Sequence, residues 1–132
     1  LIQTRWHDND VYQHVNNVIY YAFFDTAVNK ILVDRGVLNV ADSPVVGLVV
    51  ETQCKYFSPI AFPDLIHVGV CTRHIGSSSV RYEIGIFRNA EQQASAVGHF
   101  VHVYVDRRSQ RPVPIPEPIR RVLTDLFRAD SL

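Results

Sequence analysis

Asn17-Val18-Ile19-Tyr20-Tyr21-Ala22-Phe23-Phe24-Asp25-Thr26-Ala27-Val28-Asn29-Lys30-Ile31-Leu32-Val33-Asp34-Arg35-Gly36 is the stretch that decides how the rest of the chain folds. Its apolar residues Tyr20, Phe23, Phe24, Ala27, Val28, Ile31 and Leu32 recur at spacings of three and four, which places them on one wide face of a helix over 17–35. Asn16 or Asn17 suits the N-cap, because an asparagine side chain can accept from an otherwise orphaned first-turn amide. Gly36 stands where a helix C-cap belongs. A helix this apolar on one side needs a second layer to cover it.

Downstream of a break at Ser43-Pro44 the period changes. Val45 to Phe57, Leu65 to Ile75, Ser79 to Phe87 and Ala94 to Val105 are rich in β-branched and aromatic residues. They are separated by Pro63-Asp64, Gly76-Ser77-Ser78 and Asn89-Ala90-Glu91, which have turn chemistry. The reading is four strands joined by short, hairpin-like links. Pro112, Pro114, Pro116 and Pro118 mark an extended segment, and Ile119 to Phe127 has the spacing of a short tail helix. Upstream of the helix, Leu1 to Trp6 reads as the end of a strand and the polar run His7 to Asn17 as a loop. The chain opens inside strand-like residues without a methionine, so the first part of the N-terminal strand is expected to lie outside this sequence. One strand, one long helix, four antiparallel strands and a tail make an α+β domain over 1–132, in which a curved five-stranded antiparallel sheet wraps the central helix. That is the hot-dog arrangement. Its long sheet edges call for cover, so a homodimer or homotetramer is expected.

Composition narrows the function. The 132 residues are 47% hydrophobic, enough for one core. Thirteen Lys and Arg balance thirteen Asp and Glu, which argues against nucleic acid or an anionic membrane as partner. Cys54 and Cys71 form no dense disulfide framework and read as thiols in a reducing compartment, so a cytoplasmic location is expected. The apolar runs, such as Val45 to Val50, are too short to cross a bilayer. His67, His74, His99 and His102 are scattered over strands, so no metal site is expected. Cys54 has no sequence-local partner to activate it as a nucleophile.

Chemistry concentrates in Arg5-Trp6-His7-Asp8-Asn9-Asp10-Val11-Tyr12-Gln13-His14-Val15-Asn16-Asn17. Two carboxylates, two imidazoles and several amides sit immediately before a helix N-terminus. Amide donors there, helped by the macrodipole, would hold the oxyanion that develops on an acyl carbonyl. A carboxylate across from that carbonyl could attack it or activate a water, and Asp10 suits the role. The same aspartate could instead serve only to cap a turn. Asp8, beside Arg5, reads as a local ion pair or turn residue, and Asn16 and Asn17 as caps.

Asp8-Asn9-Asp10, the run His14-Val15-Asn16-Asn17 and the aromatic start Tyr20-Tyr21 resemble the signature of the 4-hydroxybenzoyl-CoA thioesterase family and its bacterial acyl-CoA thioesterase relatives. Tyr56-Phe57-Ser58-Pro59-Ile60-Ala61-Phe62-Pro63-Asp64 resembles that family's link between the second and third strands, and Gly76-Ser77-Ser78-Ser79 its turn near the CoA chain. The resemblance implies hydrolysis of an acyl-CoA thioester on a hot-dog fold. It implies Asp10 as the catalytic carboxylate and the main-chain amide near Asn17 as oxyanion donor. His14 resembles part of the Asp-Asn-His set of acyl-ACP thioesterases, but Tyr12 stands where that set has its Asn, which leaves His14 a supporting part. Tyr20, Tyr21 and Phe24 would line the acyl pocket, with pantetheine near Gly76, Ser77, Ser78 and Ser79 and phosphates near Arg73, Arg81 or Arg88. No cofactor is implied, and water is the second substrate. An acyl-ACP thioesterase and a non-catalytic acyl-CoA or acyl-carrier binding module are the alternatives. Acyl hydration or dehydration fits less well, because the helix carries Asp25 and Asp34 but no His.

Overall fold

The computed structural model describes residues 1–38 and 43–129. Helix α1 spans Asn17–Asp34. Asn16 is its N-cap, the side-chain Oδ1 accepting from Val18 N–H at 3.1 Å. At the other end Gly36 takes φ +73°, the left-handed conformation that lets the chain turn away.

The strands are β1 (Ile2–Gln3), β2 (Val45–Tyr56), β3 (Leu65–Ile75), β4 (Ser79–Arg88) and β5 (Ala96–Asp106), and the tail helix α2 is Glu117–Asp125. All neighbours are antiparallel, in the order β1-β3-β4-β5-β2. The sheet curls around α1, which makes this a hot-dog fold. The meander expected from the turns holds for β3, β4 and β5, but β2 is not hairpinned to β3. It pairs with the far side of β5, Val46 opposite Val105 and Tyr56 opposite Ala96. Residues 57–64 therefore cross three strand spacings, roughly 14 Å, which eight extended residues span easily. The crossing is tied down on the way. Phe57 N–H and Ser58 N–H both donate to Ser95 O, and Ile60 is fully buried. Of the N-terminal stretch only Ile2–Gln3 pairs in the sheet, and Trp6–Asp8 forms a single 3-10 turn.

The core lies between the helix and the concave face of the sheet. Tyr20, Phe23, Phe24, Val28 and Leu32 point inward from α1, and Val80, Tyr82, Ile84 and Ile86 from alternate positions of β4. Phe100 and Tyr104 do so from β5, and Ile119, Val122 and Leu123 of α2 close one end. The tightest point is Phe24 over Gly98. A Cβ at Gly98 would stand 2.3 Å from the Phe24 ring and 3.0 Å from the Gln53 carbonyl oxygen. Gly98 is thus the gap in the strand through which the helix comes close.

An imidazole shares this interior. His102 is 3% exposed, its Nε2 has no hydrogen-bond partner among the described residues, and its ring stands 4.9 Å from Phe100 and 5.3 Å from Tyr82. Burial pushes its pKa down to about 4, against a smaller upward pull from Asp25.

Two outcomes follow from this packing. Gly98→Ala should cost about 1–3 kcal/mol of stability, the range for overfilling a packed core. Urea denaturation measures it, and Phe24→Leu in the same chain should recover part of the loss by vacating the clash. For His102, the folded pKa lies below the unfolded value of about 6.5, so the unfolded state binds the extra proton first. The contribution is complete above about pH 6.5 and falls as the pH drops toward 4, by up to roughly 3 kcal/mol. Urea midpoints at pH 7.5 and 4.5 should diverge less in His102→Leu than in the parent. Equal divergence would exclude His102 as the source.

Candidate active site

The loop before α1 is built around a buried carboxylate. Asp8 is 1% exposed and accepts from Arg5 N–H through Oδ2 at 2.8 Å and from the Arg5 guanidinium through Oδ1 at 2.8 and 3.2 Å. This is the local ion pair expected at that position. The Asp8 carbonyl accepts from Asn16 N–H at 2.8 Å, so the same residue also fixes the start of the helix.

Between Asp8 and Asn16 the chain doubles back. Asn9 bridges Val15 antiparallel, Asp10 N–H donates to His14 O at 2.9 Å, and Gln13 N–H donates to Asp10 O at 3.0 Å. Gln13 turns the corner with φ +65°. Asp10 Oδ1 accepts from Tyr12 N–H at 2.8 Å, which orients the carboxylate, and Oδ2 accepts no hydrogen bond among the described residues. The small hairpin is laced to the crossing segment. Asn9 Oδ1 accepts from Phe62 N–H at 3.0 Å and Val15 N–H donates to Ile60 O at 2.6 Å.

Two clefts open beside this unit. Asp10 lines one of about 710 Å³, walled by Trp6, Val11 and Phe62. Trp6 and Phe62 meet edge to face, with ring centroids 6.0 Å apart. His14 and Asn17 line the other, about 330 Å³, with Tyr20, Tyr56, Phe57 and Ser58. Here the Tyr20 and Tyr56 rings are 4.9 Å apart and the Tyr56 hydroxyl donates to Asn17 O at 3.4 Å. The Asn17 N–H, in the first turn of α1, donates to no acceptor among the described residues. Burial, and next the Cys54 thiol, push the Tyr20 hydroxyl up to about 12, so it stays protonated and polarises its surroundings only as a neutral group. Tyr56 is raised by the same two causes, burial first. The Cys54 thiol is itself pushed up by burial, the opposite of what a thiolate nucleophile needs.

The other residues singled out by sequence lie as follows. Tyr21 is half-buried with its ring 5.9 Å from Phe24. Phe24 has no exposed surface and sits in the core rather than on a cleft wall. Gly76 to Ser79 lies at the opposite end of β4 from the loop, since Ser79 is level with Val103 and Ile86 with Ala96. The separation is seven residues of strand, roughly 23 Å. The turn's carbonyls are also taken: Arg120 donates to Gly76 O at 2.8 Å and Ser77 O at 3.1 Å, and Ile115 N–H to Ser77 O at 2.9 Å. Within one chain the structure therefore brings together Asp10, His14 and Asn17 on neighbouring clefts, and leaves Gly76, Ser77, Ser78 and Ser79 apart from them. Trp6, Tyr56, Phe57 and Phe62 wall the clefts without having been assigned a part; their signal was membership of the two quoted motifs. Among the described residues no cluster of His, Cys, Asp and Glu could hold a metal ion, and no helix is long and apolar enough to cross a membrane.

A family model described as the thioesterase-like superfamily matches residues 4–123, a span holding the loop, α1 and all but the first strand of the sheet. The chain belongs to the thioesterase-like superfamily. Thioester hydrolysis is accordingly the chemistry of this hot-dog protein. Among solved structures, the PA5185 protein from Pseudomonas aeruginosa strain PAO1 is 52% identical with a TM-score of 0.96, over 98% of this chain and 91% of that one. Slr0204, a 1,4-dihydroxy-2-naphthoyl-CoA thioesterase from Synechocystis, has a TM-score of 0.85 at 16% identity, over 95% and 93%. BH1999, a gentisyl-coenzyme A thioesterase, has 0.82 at 22%, over 93% and 97%. The last two share the fold of this thioesterase. No sequence among curated proteins matches it.

Because the Asp8 carboxylate holds the Arg5 turn, Asp8→Ala should destabilise the thioesterase by roughly 1.5–3 kcal/mol, the range for losing hydrogen bonds to a charged group. Thermal or urea melts check this. Arg5→Ala should cost less, since the guanidinium is largely exposed while the backbone bond from residue 5 survives.

Proposed function

We propose that the protein hydrolyses an acyl-CoA thioester to a carboxylic acid and free CoA, with Asp10 as the catalytic carboxylate. The observation that carries this reading is the unused pair at the start of α1: a carboxylate oxygen of Asp10 and the N–H of Asn17, each without a hydrogen-bond partner among the described residues. The carbonyl oxygen of the thioester accepts from Asn17 N–H, which with the helix dipole stabilises the developing oxyanion. Asp10 either takes a proton from the attacking water or attacks the carbonyl carbon itself, giving an acyl-enzyme anhydride that water then cleaves. In both routes the C–S bond breaks and the sulfur leaves as the CoA thiolate. His14 supports the loop and the charge near it. Tyr20 and Tyr21 border the acyl group, and the perpendicular rings of Trp6 and Phe62 offer an apolar corner suited to an aryl or other bulky acyl group.

The acting species in this reading is a homodimer, alone or within a tetramer. β2 forms one edge of the sheet, is twelve residues long, and exposes Leu48, Val49 and Val50, an edge of the kind that proteins cover. A second copy pairing antiparallel along β2 reverses the ends of the partner's sheet. It carries the partner's Gly76 to Ser79 toward this chain's Asn17, so the distant turn can border pantetheine across the interface. Two free thiols, Cys54 and Cys71, fit a cytoplasmic setting.

Thiol release from short, medium, long-chain and aryl acyl-CoAs tests the proposal. Asp10→Asn should lower kcat by about 10²–10⁴, the usual contribution of a positioned acid or base, with an unchanged circular dichroism spectrum. A folded Asp10→Asn enzyme with undiminished turnover would refute the assignment. Sedimentation of the same preparations should show dimers or larger.

A further inference from the structure

On the convex face of the sheet, away from α1, lies a groove of about 890 Å³ that the site described so far does not use. Its floor is formed by outward residues of β2, β4 and β5, and its wall by the loop after β4. Three kinds of group line it. Phe57 and Phe87 supply aromatic surface, Gln92 and Gln93 supply amides, and Lys55 and Arg81 supply positive charge. Of the carboxylates nearby, Glu83 stands 3.8 Å from Arg73 and Glu91 holds Arg88 at 2.7 and 2.9 Å, while Glu51 lies level with Arg81 on the far side of β5. Among the described residues the groove is thus left with two cations, Lys55 and Arg81, that no carboxylate binds in an ion pair.

It also joins the candidate active site. Phe57, 64% exposed, walls both the groove and the cleft that holds Asn17. A third hollow around Phe57, Ser58 and Arg88 rounds the end of the sheet between them. From Phe57 the groove runs inward past Lys55 to the level of Arg81, which lies in register with Val101 and Glu51. Six residues of strand separate that level from Phe57, roughly 20 Å.

We infer that this groove seats the nucleotide end of CoA, with the pantetheine arm bending over Phe57 to deliver the thioester to Asn17. CoA carries phosphate at two places, a diphosphate and a 3′-phosphate, which matches two cations at different depths better than it matches a single anion. An adenine ring finds faces in Phe57 and Phe87 and hydrogen-bonding edges in Gln92 and Gln93. This rests on the acyl-CoA reading above; of Arg73, Arg81 and Arg88 it takes Arg81, with Lys55, for the phosphates, and it leaves Gly76 to Ser79 free to border the arm.

The test uses the whole chain and 3′,5′-ADP as probe, with an acyl-CoA and the same acyl group on N-acetylcysteamine, which has no nucleotide. 3′,5′-ADP should bind in calorimetry and compete with acyl-CoA. Lys55→Glu and Arg81→Glu should each weaken that binding at least tenfold and raise the ratio of KM for acyl-CoA to KM for the short thioester by a similar factor. Arg81→Lys should retain most of both. An unmoved ratio, non-competitive inhibition, or 3′,5′-ADP binding indifferent to both reversals would overturn the inference. So would loss of subunit association in the reversals with 3′,5′-ADP binding intact, which would make the groove a seat for a second copy. Calorimetry decides the matter even if no thioester is turned over, so failure of the hydrolase reading and failure of the groove assignment are told apart.

Discussion

The approach of Phe24 to Gly98 is the constraint from which the rest of the molecule is arranged. A strand residue without a side chain lets an aromatic ring of the helix reach the backbone of β5 and lie near the carbonyl of Gln53 on β2. With the helix seated that deeply, its apolar face is covered and the sheet must curl to follow it. The same seating puts the N-terminus of α1 beside the Tyr56 end of β2, where the Tyr20 and Tyr56 rings meet. The free amide of Asn17 therefore owes its place to a packing contact seven residues further along the helix. Distant core residues and the N-terminal end of the helix are linked through a single rigid element.

The helix and the strands were legible because their signals are local. Spacings of three and four in Tyr20 to Leu32 specify a face whatever lies opposite, and the β-branched runs mark strands wherever they pair. The order of the strands was not legible in the same way. Pro59 and Pro63-Asp64 announce that the chain leaves β2, but nothing local states that it crosses two strands, β5 and β4, before it rejoins the sheet. The destination of β2 depends on register with β5, whose paired residues lie from Ala96, opposite Tyr56, to Asp106, opposite Val45.

The candidate site divides along the same line. Asp10, His14 and Asn17 belong to one short segment, so their proximity followed from sequence. Which side of the helix Phe24 serves did not follow, because an aromatic at helical spacing fits a core and a pocket equally well. The place of Gly76 to Ser79 within the sheet was not legible for a geometric reason. A turn's composition does not reveal which end of the sheet it occupies, and here it lies beneath Arg120 and Ile115. The walls of both clefts combine residues some fifty positions apart, Trp6 with Phe62 and Asn17 with Phe57.

The loop that bears Asp10 is bonded to the crossing segment as well as to the helix it precedes, through Asn9 to Phe62 and Val15 to Ile60. The two motifs thus behave as halves of one mechanical part, although the whole of α1 and β2 separates them in the chain. An exchange of the acidic loop between relatives would carry its hydrogen-bonding counterpart only if residues 57–64 travelled with it. Transplanted specificity, and natural drift in specificity, should therefore move in paired segments rather than in single loops.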